Sequence, residues 1–225
     1  PRRVHRCQYV HGVSDPLLLL ASSSPRRREL LACAGIAVRV SAPDVVERHQ
    51  PHETPGEYVA RNATEKADWV CARGRLDGAD AVLAADTVVV QEHHILEKPC
   101  DAADAAAMLR RLSGQAHQVL TGVALYRVVD GSVTDRHVFV ESTTVRFRDL
   151  AESAIAAYVA TGEPMDKAGA YAIQGLGTFL VKRINGSYTN VVGLPVCEVI
   201  AFFIREGILG FAGTARSDGR AEVDR

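Results

Sequence analysis

Three consecutive arginines, Arg26, Arg27 and Arg28, follow Ser22-Ser23-Ser24-Pro25 and the apolar run Leu17–Ala21. Ser24 suits a helix N-cap and Pro25 the first helical position, which places the arginines in the first turn of a helix. Cations are unfavourable at that end of the helix dipole. An anion held there offsets the conflict, because free backbone N–H groups and guanidinium forks both suit phosphate. An arbitrary triple arginine reads as a solvated basic turn. Here strand, cap, proline and misplaced charge coincide, so the segment is expected to bind phosphate.

Other polar residues that chemistry could use lie at the ends of apolar runs. Asp86-Thr87 follows Ala81–Ala85, where a strand would emerge, and ligand sites in open α/β sheets favour such ends. Taken alone, Asp86 would more readily be a turn cap. Lys98, in Glu97-Lys98-Pro99, reads as a phosphate contact or a solvated turn lysine. His117 opens an apolar run and reads as structural. Two loops, 162–177 and 185–190, are dense in turn residues and charge, the kind of loop that carries function.

The elements that would position these groups alternate. Strands are expected at Leu17–Ala21, Ile36–Ala42 and Ala81–Ala85. Val88–Val90 with Ile95–Leu96 reads as a short hairpin, with His93-His94 at its tip. Long strands at Gln118–Val129 and Val133–Phe147 flank Asp130-Gly131, a hairpin turn signal. Two further strands are expected at Ala170–Ile173 and Thr178–Ile184. Helices are expected at Pro25–Ala34, Pro55–Arg73, Ala102–Leu112, Glu152–Thr161 and Val196–Glu206. Gly35 would close the first of these and Gly114 the third. The central hairpin breaks pure βαβ order, so the fold class is a mixed α/β sheet with helices on its faces.

Composition bounds the rest. The chain of 225 residues is 47% hydrophobic with a formal net charge of -1, enough apolar content for a real core and too little basic field for a bulk nucleic-acid binder. Its 5 cysteines are scattered without a CxxC pair, which fits reduced thiols in the cytoplasm. No apolar run reaches membrane-spanning length, so no membrane partner is expected. Residues 1–16 read as an irregular leader, processed or vector-derived, without a signal-peptide apolar core. Residues 213–225 read as a frayed tail. Several motifs fail: His49-x-x-His52 sits in a proline-flanked loop without a third ligand, Gly175-x-Gly177 is too short for a dinucleotide fingerprint, and no Walker or GxSxG motif occurs.

An ordered set of motifs spans Leu17 to Ile204. It runs through Ala21-Ser22-Ser23-Ser24-Pro25-Arg26-Arg27, Glu65-Lys66-Ala67, Ala85-Asp86-Thr87, Lys98-Pro99, Leu112-Ser113-Gly114, His117 and Thr121-Gly122. It continues through Gly162-Glu163-Pro164, Asp166-Lys167-Ala168-Gly169, Ile173-Gln174-Gly175 and Asn190–Pro195. With these residues the chain resembles the Maf family of nucleoside triphosphate pyrophosphatases. The resemblance implies an elongated mixed α/β fold like that of inosine-triphosphate pyrophosphatases, as one catalytic domain over 17–212 with a cleft between two lobes. It implies hydrolysis of the α–β phosphoanhydride and a divalent metal, Mg²⁺ or Mn²⁺. The Tyr171-x-Ile173-Gln174-Gly175 segment with Ser187-Tyr188 is similar to the branch acting on dTTP and UTP; CTP or modified pyrimidine nucleotides stay open.

By that resemblance Asp86 is the proton acceptor, Arg26, Thr87 and Gln174 set specificity, and Ser22, Arg27, Glu47, Lys66 and Lys98 match further site positions. One departure is Val46-Glu47, where the family often has two acidic residues. The chemistry is consistent with this set. Arg27, Lys66 and Lys98 would clamp the triphosphate, Asp86 would orient or deprotonate water, and Glu47 with Asp86 would hold the metal. The Gln174 amide can match the edge of uracil or thymine. A homodimer is an open option. The competing expectation is a nucleotide-sensing regulator of septum formation, which would bind without turnover.

Overall fold

Leu18, Leu19, Leu20 and Ala21 are buried on both faces of the chain, which makes Leu18–Ala21 (β1) an interior strand. In the computed structural model, which describes residues 16–73, 76 and 78–210, it runs parallel to Val38–Val40 (β2) and to Ala81–Gln91 (β3). His94–Leu96 (β4), Ala116–Val129 (β5), Ser132–Phe147 (β6) and Val181–Asn185 (β7) complete a mixed sheet of 7 strands. Its order is β2-β1-β3-β5-β6-β7, with β4 beside β3, and every pairing from β3 onward is antiparallel. The helices are Pro25–Cys33 (α1), Pro55–Ala72 (α2), Ala102–Leu112 (α3), Glu152–Ala160 (α4), Tyr188–Val192 (α5) and Val196–Arg205 (α6).

The period of two in β1 divides the core. Leu18 and Leu20 pack with Leu31 of α1 and Phe202 and Phe203 of α6, whereas Leu19 and Ala21 pack with Ala63 and Ala67 of α2. A third apolar cluster gathers Leu109 and Leu112 of α3, Ile155 and Tyr158 of α4, and Phe147 and Tyr171. α2 approaches the sheet so closely that a Cβ at Gly122 would collide with the main chain of Val59. Thr54 and Glu57 form a capping box at its start. Among the described residues no helix is long and apolar enough to cross a membrane.

Several expectations change. β3 does not end at Ala85: it continues to Gln91, because β5 pairs with it from Ala81 to Val90. The hairpin into β4 turns on Glu92 and His93, both at positive φ, one residue before the expected His93-His94 tip, because His94 already pairs with Gln91; Asp130 and Gly131 form the other turn as expected. Ala170–Ile173 is not a strand. Its start belongs to a tight turn, Ala168–Ala170, with Gly169 and Ala170 in the left-handed region and the Gly169 N–H bonded to Glu97 O. The next strand begins only at Val181, after a 3₁₀ turn over Gly175–Leu180. Ser24 takes the extended N-cap conformation, but its hydroxyl does not cap α1. Apart from residue 16, the expected leader lies outside the described residues, as does the tail from 213.

Candidate active site

The sheet's hydrogen bonding opens a notch on one edge of β3. β1 pairs with β3 up to Ala84 and β4 pairs with it from Val89, so Asp86 and Thr87 lie on strand edge between two neighbours. Alternation then sends the two side chains to opposite faces. Asp86 meets α2, where Asn62 and Lys66 stand one helical turn apart. Lys66 Nζ lies 2.7 Å from Asp86 Oδ1, and Asn62 Nδ2 donates to Asp86 Oδ2 at 2.9 Å. The same Nζ lies 2.7 Å from Glu47 Oε1, so one ammonium bridges a buried carboxylate and an exposed one. Tyr58, a turn earlier on α2, donates to Glu97 Oε1 at 3.2 Å.

Burial alone would push the Asp86 carboxyl upward. The charge of Lys66, hydrogen bonds from Lys66 and Asn62, and the more distant Arg27 outweigh it, and Asp86 is held below the usual carboxylate range. Asp86 is therefore an ionised acceptor near neutral pH.

Thr87 faces the other way, into a cross-link built on Arg27. Arg27 Nε donates to Gly193 O at 2.8 Å, Nη1 to Ser22 Oγ at 3.1 Å, and Nη2 to Thr87 Oγ1 at 3.0 Å. Thr87 Oγ1 is also 2.9 Å from Thr121 Oγ1 on β5. A guanidinium has five N–H groups, so one on each terminal nitrogen is left for a ligand. Burial lowers the Arg27 pKa, with Asp86 and Glu47 opposing the shift. Arg27, expected from sequence as a phosphate ligand in the first turn of α1, is thus also a buried tie between α1, β3 and the turn after α5.

A cleft of about 360 Å³ joins these groups to the far side of the sheet. Ser22, Arg26, Arg27, Glu47, Lys66, Asp86, Thr87, Lys98 and Gln174 all line it, so every site residue expected from sequence comes to one place. Asp166, Lys167 and Tyr171 line it too. Five cations (Arg26, Arg27, Lys66, Lys98, Lys167) face three carboxylates (Glu47, Asp86, Asp166), an excess of positive charge suited to a polyanion. Gln174 is exposed on the cleft wall, and its amide has no hydrogen-bond partner among the described residues. Sequence reasoning did not single out Asn62. Its signal was available, a polar residue on the stripe of α2 that otherwise faces the core.

Fold and cleft together define a class: a mixed-sheet α/β protein with a cationic cleft built around an ionised, buried aspartate. Within that class the chain belongs to the Maf-like protein family, which it matches over residues 17–206. It is 51% identical over 193 residues to the dTTP/UTP pyrophosphatase of Geobacter sulfurreducens, covering 85% of this chain and 97% of that protein. It is 50% identical over 183 residues to the dTTP/UTP pyrophosphatase of Escherichia coli O157:H7, covering 80% and 88%. The Staphylococcus aureus Ham1 protein shares the fold, with a TM-score of 0.50 and 14% identity over 84% of this chain and 99% of that one.

Proposed function

We propose that the protein is a nucleoside triphosphate pyrophosphatase that hydrolyses dTTP and UTP to the monophosphate and pyrophosphate. The observation that carries this reading is the joining, in one cleft, of a cationic clamp, an ionised aspartate and an unpartnered amide. The relatives' names point to the same substrates.

Arg27 offers its two remaining N–H groups to phosphate oxygens, and Arg26, Lys98 and Lys167 add charge around the chain of phosphates. Charge-assisted contacts strengthen as negative charge develops on the leaving pyrophosphate. Asp86, fixed by Lys66 and Asn62, orients the attacking water by accepting its proton in a hydrogen bond. Its lowered pKa suits orientation better than full proton removal, for which a value near the working pH is best. Gln174 pairs with the O4/N3–H edge of uracil or thymine, and Thr87 and Arg26 complete the selection.

A divalent cation fits the donor set. Asp86 and Glu47 each place a carboxylate oxygen 2.7 Å from the Lys66 ammonium, so both border one spot that already holds a cation, and with phosphate oxygens and water they would make up the one- or two-carboxylate set that Mg²⁺ usually takes. Bound there, Mg²⁺ or Mn²⁺ would offset phosphate charge. Val46, beside Glu47, is 70% exposed and supplies no ligand, so Glu47 is the carboxylate that this segment contributes.

Pyrophosphate release from UTP, dTTP, CTP, ATP and GTP, with Mg²⁺, Mn²⁺ or EDTA, tests the reading. UTP and dTTP should turn over best, and EDTA should abolish turnover until metal is restored. Binding of nucleotide without pyrophosphate release under all these conditions refutes it and favours a sensor.

A further inference from the structure

Gln174 can select a base only if its main chain is held still, and its own side chain does nothing to hold it. The neighbouring segment is rich in glycine and lies outside the sheet. Gly175 has φ of 68°, and a Cβ at Gly177 would run into Ala172 O and the Tyr158 hydroxyl. Such a segment stays in one conformation only if something outside it takes up its N–H groups.

The carboxylate of Glu163 does this. The Leu176 N–H donates to Glu163 Oε2 at 3.0 Å, and the Gly177 N–H donates to Oε1 at 2.9 Å. The Tyr158 hydroxyl donates to the same Oε1 at 2.9 Å and accepts the Ala172 N–H at 3.3 Å. Both flanks of Gln174 are therefore tied to one pair of side chains, Tyr158 on α4 and Glu163 just beyond it. These donors outweigh burial and hold the Glu163 carboxyl below its ordinary range. Lys167, on the cleft wall, donates to Glu163 O at 2.6 Å, so the Glu163 main chain is itself anchored.

We infer that Glu163 and Tyr158 are positioning residues for base selection, acting through the main chain of Ala172, Leu176 and Gly177 to place the Gln174 amide. The inference rests on the reading of Gln174 as the base contact. Neither residue lines the cleft. In Glu163→Gln an amide NH₂ faces one of the two main-chain donors, so the flank after Gln174 loses one of its two ties. Tyr158→Phe frees the other flank at Ala172.

The test compares kcat/KM for UTP, dTTP, CTP and GTP in wild type, Glu163→Gln, Tyr158→Phe and Gln174→Ala, with inhibition by inorganic tripolyphosphate measured in each. The UTP-to-GTP ratio should fall about tenfold in Glu163→Gln, the effect of one hydrogen bond to a charged group. Tyr158→Phe should lower it by roughly threefold, the effect of a neutral hydrogen bond at the weak end of its range. Tripolyphosphate inhibition should stay within about twofold of wild type, since Lys167 meets only the main-chain oxygen of Glu163, which the substitution keeps, and ten- to hundredfold effects mark the charged contacts of the clamp. A Gln174→Ala variant that flattens the ratios while Glu163→Gln and Tyr158→Phe leave them intact overturns the inference and spares the functional reading. Equal loss for all bases, accompanied by weaker tripolyphosphate inhibition, overturns it as well, because Glu163 would then support the whole cleft. If Gln174→Ala leaves the ratios unchanged, the base reading itself fails. Should Glu163→Gln not fold, Tyr158→Phe decides alone.

Discussion

Replacing Asp86 by Asn separates chemistry from architecture because the structure sets the two costs apart. The new amide has one acceptor where the carboxylate served two donors, Lys66 and Asn62. In either orientation its NH₂ faces one of them. Removing one partner of a buried ion pair destabilises by about 3–5 kcal/mol when the other is stranded. Lys66 is not stranded, since Glu47 stays 2.7 Å away with its side chain 43% exposed, and the burial penalty on Asp86 disappears. A loss of about 1–2 kcal/mol is therefore expected, or a fall in Tm of roughly 2–8 °C for a domain of this size. Turnover should fall much further, by about 10²–10⁴, as when a positioned base is removed. Pyrophosphate release from UTP at saturating metal, beside a thermal melt of the same preparation, measures both. A folded Asp86→Asn protein within threefold of the wild-type kcat would remove Asp86 from the mechanism. Activity lost only in proportion to the unfolded fraction would make Asp86 structural.

Arg27→Met keeps most of the side chain's length but removes three hydrogen bonds, so it should destabilise by about 2–4 kcal/mol after relief of the buried charge, as well as weakening triphosphate binding. A chemical-denaturation midpoint equal to wild type would refute the buried tie. His117 should govern an acid limb of stability. It is buried beside Tyr171 and Phe147, with its pKa pushed down to about 4 by burial. The unfolded chain takes up its proton near pH 6.5 while the folded protein does not, so stability falls as pH drops from about 6.5 to about 4, by at most ~3 kcal/mol, and levels off below. In His117→Leu the orphaned Tyr171 hydroxyl should cost a similar amount at every pH, and that slope should vanish; an unchanged slope in urea melts at pH 7 and pH 4.5 would assign it to carboxylates instead.

Local signals carried much of this molecule. α3 has the bounds that its helical period predicts, and α2 ends within one residue of expectation, because an apolar stripe and strong terminal signals act over a few residues. The Asp130-Gly131 turn is equally local. What escaped was set by distant partners. Asp86 looked like the end of a strand because the apolar run stops there, yet β5 carries β3 onward through Val90. A carboxylate can occupy a buried mid-strand position only because α2 brings an ammonium and an amide to it, a pairing across 20 and 24 residues that no window reveals. Ala170–Ile173 failed for the matching reason. Its apolar residues do face the core, but the Gly169 N–H goes to Glu97 and the Ala172 N–H to Tyr158, so the segment finds hydrogen-bond partners without a ladder. The polar residues on the core stripe of α2 were the one local hint of the site's interior. Asn62 and Lys66 interrupt an otherwise apolar face, and burying them is tolerable only opposite a charge. Polar residues spaced i, i+4 on a core stripe demand such a charge, and a lone Asp inside an apolar run demands a buried cation or donor. The two demands make Asn62 and Lys66 candidates for the cation and donor that Asp86 needs, and the packing of α2 on β3 turns candidates into the pair.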